Sequence, residues 1–440
     1  MNANRDRGGW AIRASAGSRL ALRLAVAANL ALGAVYVAIF AELFVTGRTH
    51  GSDFTAFYTG WKIVLEGHGN QLYDPAVQVD VQRAILGGQT FVAGLNAFIN
   101  PPHMVLPYLP LGLLPLDVAF LVWTALQAGL LVAILAILLH GVAHDWTRLE
   151  RSGLVAAFLA FPPLAISFFE GSFALVLALG VAGSWFTLEH GHEARAGGLL
   201  ALASVKPQGA FGLFIATLLS RRPAAIATLF VWNAALAGAA TVVLGPAIWS
   251  SYLSLLESQT SAFDRYSLDP TVMWNLRGTL SLLLGRDNAS LVNILSYLGF
   301  VVGVVAIAWI WRWGWPRLGD RGPAVRDTSL RVALTIVLTL LLSPHLNPHD
   351  DTLAAIAVAL AYGALRGTSS GRIIGIGALL APVAILVVNG IAADAPTTLP
   401  IRLPTALLVG LGAVTLMGLW SRPSRAPTAG EGSKAGVQPL

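Results

Sequence analysis

Long apolar runs constrain this chain more than any other feature. They recur from Leu20–Phe44 onward, each near the ~20 residues that a helix needs to cross a membrane. Only 11% of the 440 residues are charged and 55% are hydrophobic, against roughly 25% charged in soluble domains. Barrel strands would alternate apolar and polar residues, and these runs do not. The pattern predicts an all-α integral membrane protein. Spans are expected near 20–44, 117–140, 153–169, 172–189, 223–245, 292–312, 330–343, 352–366, 372–391 and 402–420. Two shorter pieces, 197–205 and 208–220, meet at Lys206-Pro207, where proline predicts a break. With these, the expectation is a polytopic helical bundle of about 12 membrane segments. The piece 101–115 carries Pro101, Pro102, Pro107, Pro110 and Pro115 and reads as a re-entrant or broken segment.

The net charge of +6 might point to nucleic acid, but the basic residues sit in short loops beside apolar runs. That placement sets membrane topology. One side of the predicted bundle holds only Arg48, Lys62, Arg83, Lys206, Arg265, Arg277, Arg286 and Arg402 of the 28 Lys and Arg. The richer side, with both termini, is therefore expected in the cytoplasm, and no nucleic-acid partner is expected. Residues 1–19 form a basic cytoplasmic segment ahead of a retained first helix, 20–420 the membrane domain, and 421–440 a disordered tail rich in Pro, Gly, Ser and Ala.

Two long loops lie on the far side, at 45–116 and 246–291. In the first, Asp74 is placed to cap a helix, with Pro75 in its first turn and Gly87 at its end. The second opens with Trp249, Tyr252, Leu253 and Leu256 at helical spacing, as an interfacial helix would. There is no cysteine, which removes disulfide and thiolate chemistry. No P-loop or dinucleotide-binding glycine pattern is present.

Polar residues in such a chain are candidates for function. Asp53, in "HGSDFTAFYTGWKIVLEG", faces the far side, where a carboxylate could take a proton from a hydroxyl. Ser52 or Asp53 would equally serve as N-cap of the helical stretch that follows. "SPHLNPHDD" gathers His345, Asn347, His349, Asp350 and Asp351. Its prolines disfavour the i, i+4 pairing of a helical zinc site, so a phosphate or sugar site competes with simple capping by Asp350 or Asp351. Lys206, one of three lysines, sits in an apolar stretch beside Gln208. It could hold a phosphate as a point charge or snorkel to the interface. In "MWNLRGTL", Arg277 could hold phosphate bidentately and Asn275 contact sugar, or the segment could be a Trp-Arg interfacial anchor. His103, after Pro101-Pro102, reads mainly as part of a turn.

The order of "SDFTAFYTGWKIVLEG", "LYDP", "INPPHMVLPYLPLGLLPL", "EGSFALVLALG", "LLALASVKPQGAF" and "LLSPHLNPHDDTLAAIA" resembles family 87 of the GT-C membrane glycosyltransferases, over roughly residues 20–420. The resemblance implies a GT-C-like bundle in a bacterial-type plasma membrane, with an extracytoplasmic active site. It implies transfer of a sugar, mannose being the commonest choice, from a polyprenyl-phosphate donor to a lipid or glycan acceptor, with inversion. Asp53 then falls on the family's catalytic base. His345 or His349 falls on its late histidine segment, and Lys206 on its "KPQ"-like stretch, next to Gln208. Arg277 and Asn275 join the donor side on chemistry alone. Tyr58, His103 and Asn347 are expected on the acceptor side. Members often carry glutamine after the glycine where this chain has Gly171-Ser172. The acidic pair of many other GT-C enzymes is reduced here to Asp53 alone, so neither metal nor cofactor is expected. A transporter or lipid flippase is the competing reading, but such proteins often show inverted repeats and none is visible here. A non-catalytic scaffold would leave the polar cluster unexplained.

Overall fold

A computed structural model describes residues 16–47, 51–89, 94–259, 269–315, 323–394 and 402–420. Most of the predicted basic segment, the tail and parts of both long loops fall outside these residues, as does His50. Among the described residues the chain is helical, with no β-strand. The first half contains α1 (Ala16–Val45), α2 (Ser52–Leu65), α3 (Pro75–Ile85), the single turn α4 (Val105–Tyr108), α5 (Leu116–Gly141), α6 (Arg148–Leu159), α7 (Pro162–Glu170) and α8 (Ala174–Glu189). There follow α9 (Glu193–Leu202), α10 (Pro207–Leu218), α11 (Pro223–Leu244), α12 (Ile248–Gln259), α13 (Leu276–Leu284), α14 (Ala289–Trp311), α15 (Pro323–Leu342), α16 (Thr352–Leu365), α17 (Ser369–Asp394) and α18 (Leu403–Trp420).

Local chemistry explains many of the boundaries. Asp74 accepts from the Ala76 N–H and Pro75 opens α3, while Gly87 turns left-handed just beyond its end. Thr147 and Glu150 form a capping box at the start of α6. The proline-rich piece breaks into short turns at 102–113, as expected. α9 ends in a 3-10 turn over Ala203–Val205, and Lys206 precedes the new helix that Pro207 starts. The expected interfacial helix forms as α12.

Among the described residues, six helices are long and apolar enough to cross a membrane: α1 from Arg19, α5, α11, α14, α17 to Val388, and α18. The pair α6–α7, bent by 45°, makes a seventh if it acts as one span. Their outward faces are apolar and exposed, with Val37 on α1, Val231 and Val242 on α11, and Val302 and Val305 on α14, which is the surface that lipid requires. The expected twelve segments are not reached by this measure. α8, α10 and α16 have 16, 12 and 14 residues, or roughly 18–24 Å at 1.5 Å per residue, short of the ~30 Å hydrocarbon core. α15 carries Arg326, Asp327 and Arg331 in its first half. These elements face inward, and α8 and α16 are largely buried.

An aromatic layer ties loop one to the bundle. The Phe54, Trp61, Phe120, Trp123 and Phe173 rings pack at centroid distances of 5.2–6.5 Å. It buries one face of α2 against α5 and the turn before α8, placing the start of α2 beside the end of α7.

Candidate active site

The start of α2 departs from expectation. Neither Ser52 nor Asp53 is the N-cap; Gly51 holds that position, and no side chain caps the helix. Gly51 adopts φ +70°, and a Cβ there would come within 2.7 Å of the Glu170 carbonyl oxygen and 2.8 Å of the Phe120 ring. Only glycine lets α2 begin this close to the end of α7. Gly171 mirrors it with φ +66°, where a Cβ would meet Phe54 Cβ at 2.7 Å. The Asn96 side chain donates to the Ser52 carbonyl. Asp53 thus lies in the first turn of α2 with its carboxylate outside any cap.

That carboxylate meets a group drawn from three distant segments. Asp53 Oδ2 is 3.5 Å from His349 Nε2. Lys206 Nζ lies 2.6 Å from the same nitrogen and donates to Asp350 Oδ1 at 2.9 Å. His349 Nδ1 is hydrogen-bonded to the carboxylate of Glu170, the last residue of α7. Asp350 also accepts from the Asn347 N–H at 3.0 Å, which fixes the turn that precedes α16. His349 is fully buried and Lys206 is 7% exposed, so Lys206 is ion-paired inside the protein rather than snorkelling to the interface.

Electrostatics follow from this crowding. Burial pushes the Asp53 carboxyl above its ordinary range, and the negative charges of Glu170 and Asp350 act in the same direction against the attraction of His349 and Lys206. Burial and the Lys206 charge pull the His349 imidazole down, yet Asp350, Asp53 and Glu170 outweigh them and leave it above its ordinary value. Burial would raise Asp350, but Lys206 and His349 hold it below the usual carboxylate range. Burial, aided by the nearby charges of Arg277 and Lys206, holds His345 down to about 4, so its imidazole is neutral at physiological pH.

The other expected site residues divide clearly. Arg277 donates to the Pro344 carbonyl at 2.9 Å and to Asn293 Oδ1 at 2.7 Å. Asn275 caps α13 through Gly278 and donates to the Ser343 carbonyl at 3.1 Å. Both brace the back of the "SPHLNPHDD" segment. The Tyr58 hydroxyl donates to the Leu114 carbonyl at 2.6 Å. His103 Nε2 lies 3.3 Å from Ser204 Oγ, two residues before Lys206, and its Nδ1 is buried without a hydrogen-bond partner. Gln208 is half-buried one position into α10, beside the cluster.

Glu170 was missed in the sequence. It reads there as a polar residue closing a helix before a glycine, and its partner His349 lies 179 positions away. Its only signal was "EGS" itself, a carboxylate ahead of the Gly171 turn. The structure corrects the expectation that the acidic pair is reduced to Asp53, because Glu170 supplies a second carboxylate. Asp53, Glu170 and His349 offer ligand atoms within 4.8 Å of one another, a spacing that could hold a metal ion. However, the imidazole nitrogens already face Glu170 and Lys206, and the lysine ammonium supplies a cation within the group.

Ser167, Ser172, Gln127 and Trp123 hold the turn after Glu170. Trp123 Nε1 donates to the Gly171 carbonyl at 2.8 Å, Gln127 donates to the Ser172 carbonyl at 2.9 Å, and the two serine hydroxyls lie 3.0 Å apart. Ser172 therefore serves this internal network.

Fold and site together define a helical membrane protein with a buried, partly solvated cluster of titratable groups. Residues 98–344, more than half of the chain, match Glycosyltransferase family 87. The chain belongs to that family and is a glycosyltransferase. The matched region includes Glu170, Lys206 and Arg277 and stops short of Asp53 and His349. No curated protein and no solved structure matches the chain.

Proposed function

We propose that the protein transfers a sugar, mannose being the family's commonest, from a polyprenyl-phosphate donor to a lipid or glycan acceptor, with inversion, at the extracytoplasmic face of a bacterial-type plasma membrane. Asp53 is the general base. It takes the proton from the acceptor hydroxyl while that oxygen attacks C1 and polyprenyl phosphate leaves. The observation that carries this reading is the Asp53 carboxylate, free of helix capping and directed at a buried imidazole and ammonium. A carboxyl raised by burial is a stronger base than a solvated one. Lys206 stands where a leaving phosphate would need positive charge in a water-poor site. Arg277 and Asn275 support the segment carrying His345 and His349; Gln208 is assigned to the donor, and Tyr58, His103 and Asn347 to the acceptor.

Sidedness rests on charge. Arg148, Arg222, Arg366 and Arg372 flank helix ends remote from Asp53, and basic loops favour the cytoplasm. Together with the seven spans above, α8, α9, α10, α15 and α16 would complete about 12 membrane segments of a GT-C-like bundle, with both termini cytoplasmic. Radiolabelled polyprenyl-phosphate sugars incubated with purified protein and membrane lipid extract test the reaction. Label should pass from polyprenyl phosphate to a new lipid or glycan, and retention of all label on every donor would refute it.

A further inference from the structure

Glu170 has no part in the reaction as described so far, yet it touches the centre of the cluster. Its carboxylate meets His349 Nδ1, while its side chain is 36% exposed and the imidazole is fully buried. A lysine ammonium has only protons to give. With Lys206 Nζ 2.6 Å from Nε2, the neutral form of the imidazole accepts there and carries its proton on Nδ1, facing Glu170. The fold fixes this pairing rigidly: Glu170 ends α7 at a left-handed glycine, Gly51 packs on its carbonyl, and Trp123 and Gln127 hold the following turn.

We propose that Glu170 is a positioning residue for sugar transfer, orienting His349 so that Nε2 faces Asp53 and carrying away the proton that Asp53 takes from the acceptor. This rests on the assignment of Asp53 as base. The acceptor O–H proton passes to Asp53 as the O–C1 bond forms and the C1–O bond to phosphate breaks, the electron pair leaving with polyprenyl phosphate. The protonated Asp53 then gives that proton to Nε2, and the imidazolium releases its Nδ1 proton to Glu170 and on to water. Asp53 returns as a carboxylate. The 3.5 Å gap between Asp53 and Nε2 needs to close by less than 1 Å to reach hydrogen-bond length. Lys206 can leave Nε2 without losing its charge partner, since Asp350 holds it at 2.9 Å. Such a route leads outward, since the Glu170 side chain is 36% exposed against 21% for Asp53.

Glu170→Gln and Glu170→Ala, measured against wild type, test the proposal. The charges facing His349 are Asp53 on α2, Glu170 on α7, Lys206 before α10, and Asp350 in its own turn, with neutral His345 nearby. Removing the Glu170 charge should move the acid limb of kcat to lower pH and cut kcat roughly 10²-fold with KM little changed, while the thermal midpoint stays near wild type. Glu170→Asp should restore part of the rate. Independently of any substrate, the 15N titration of His349, assigned with His349→Asn, should move to lower pH in Glu170→Gln. An unmoved limb and an unmoved titration would overturn the role of Glu170, whatever the rate. If wild type transfers sugar from no polyprenyl phosphate, the reaction fails, and the substrate-free titration still decides whether Glu170 governs His349.

Discussion

Two buried ionic clusters sit at opposite ends of α16, and they are built on different principles. At its C-terminal end, Glu150 accepts from the Thr147 N–H and hydroxyl at 2.8 Å, from the Tyr362 hydroxyl at 2.8 Å, and from Arg366 at 3.0 and 3.2 Å. Arg366 also reaches Asp145 at 3.1 Å. Every strong group there has a short, direct partner. At the N-terminal end, Asp350 is satisfied in the same way by Lys206 and Asn347. Asp53 is not: its nearest cation-forming neighbour is 3.5 Å away, and its side chain is 21% exposed. A saturated network rigidifies a fold. A carboxylate kept near, but outside, such a network retains the capacity to accept a proton. The difference separates an ionic lock from the proposed reaction centre within one helix length.

Substitutions can break this contrast. The largest effect is expected for Asp53→Asn, which should lower turnover by about 10³-fold and leave folding intact, since Asp53 caps nothing. Initial rates and thermal midpoints in detergent read both. Lys206→Met should damage both properties. It strands Asp350 in the interior, at a cost of about 3–5 kcal/mol for an unpaired buried charge, and removes the cation near the leaving phosphate; a thermal midpoint close to wild type would show that Asp350 finds another partner. At the other end, Arg366→Met should lower stability by about 2 kcal/mol with kcat and KM of the folded protein unchanged. A changed kcat would mean that the two ends communicate. The smallest change, Gly51→Ala, forces an L residue into a left-handed conformation against Glu170, for about 1–2 kcal/mol, and should lower kcat by displacing Asp53.

Within the N-terminal cluster, Asp53 and Asp350 differ in their expected response to acid. Burial holds the Asp53 carboxyl above the ordinary aspartate range. A carboxyl raised on folding stabilises the protein while protonated and loses that contribution as pH rises through its folded pKa. As a base it works only when ionised, so the acid limb of kcat/KM should lie above the pH at which an ordinary aspartate titrates. Asp350 is lowered, so its stabilising contribution is present above the unfolded pKa and lost as pH falls through the folded one. Acid should therefore silence activity before it unfolds the protein, and a single transition shared by both readouts would contradict this.

Much of this arrangement was legible in the sequence. Apolar runs located the long helices, Asp74-Pro75 marked the start of α3, and Lys206-Pro207 marked a real break. Asp53, His349 and Lys206 stood out because polar residues are costly in apolar surroundings. What escaped were relations between distant segments. Cap propensity favoured Ser52 or Asp53, yet the close approach of α7 imposed Gly51 instead. Arg277 and Asn275 carry phosphate- and sugar-binding chemistry, but it is engaged by the carbonyls of Pro344 and Ser343. Glu170 looked like an ordinary helix end because nothing local announces a partner on another helix. The segment count is legible only in part: among the described residues six helices are long enough to span by themselves, while short buried helices are as apolar as spans and differ from them in length.

The most direct measurement is a paired assay of Asp53→Asn and Arg366→Met under identical conditions, recording initial rate and thermal midpoint for each. The expected result is a double dissociation: Asp53→Asn inactive with a wild-type midpoint, Arg366→Met active with a lowered one. Wild-type turnover by folded Asp53→Asn would contradict the assignment of Asp53 as the base.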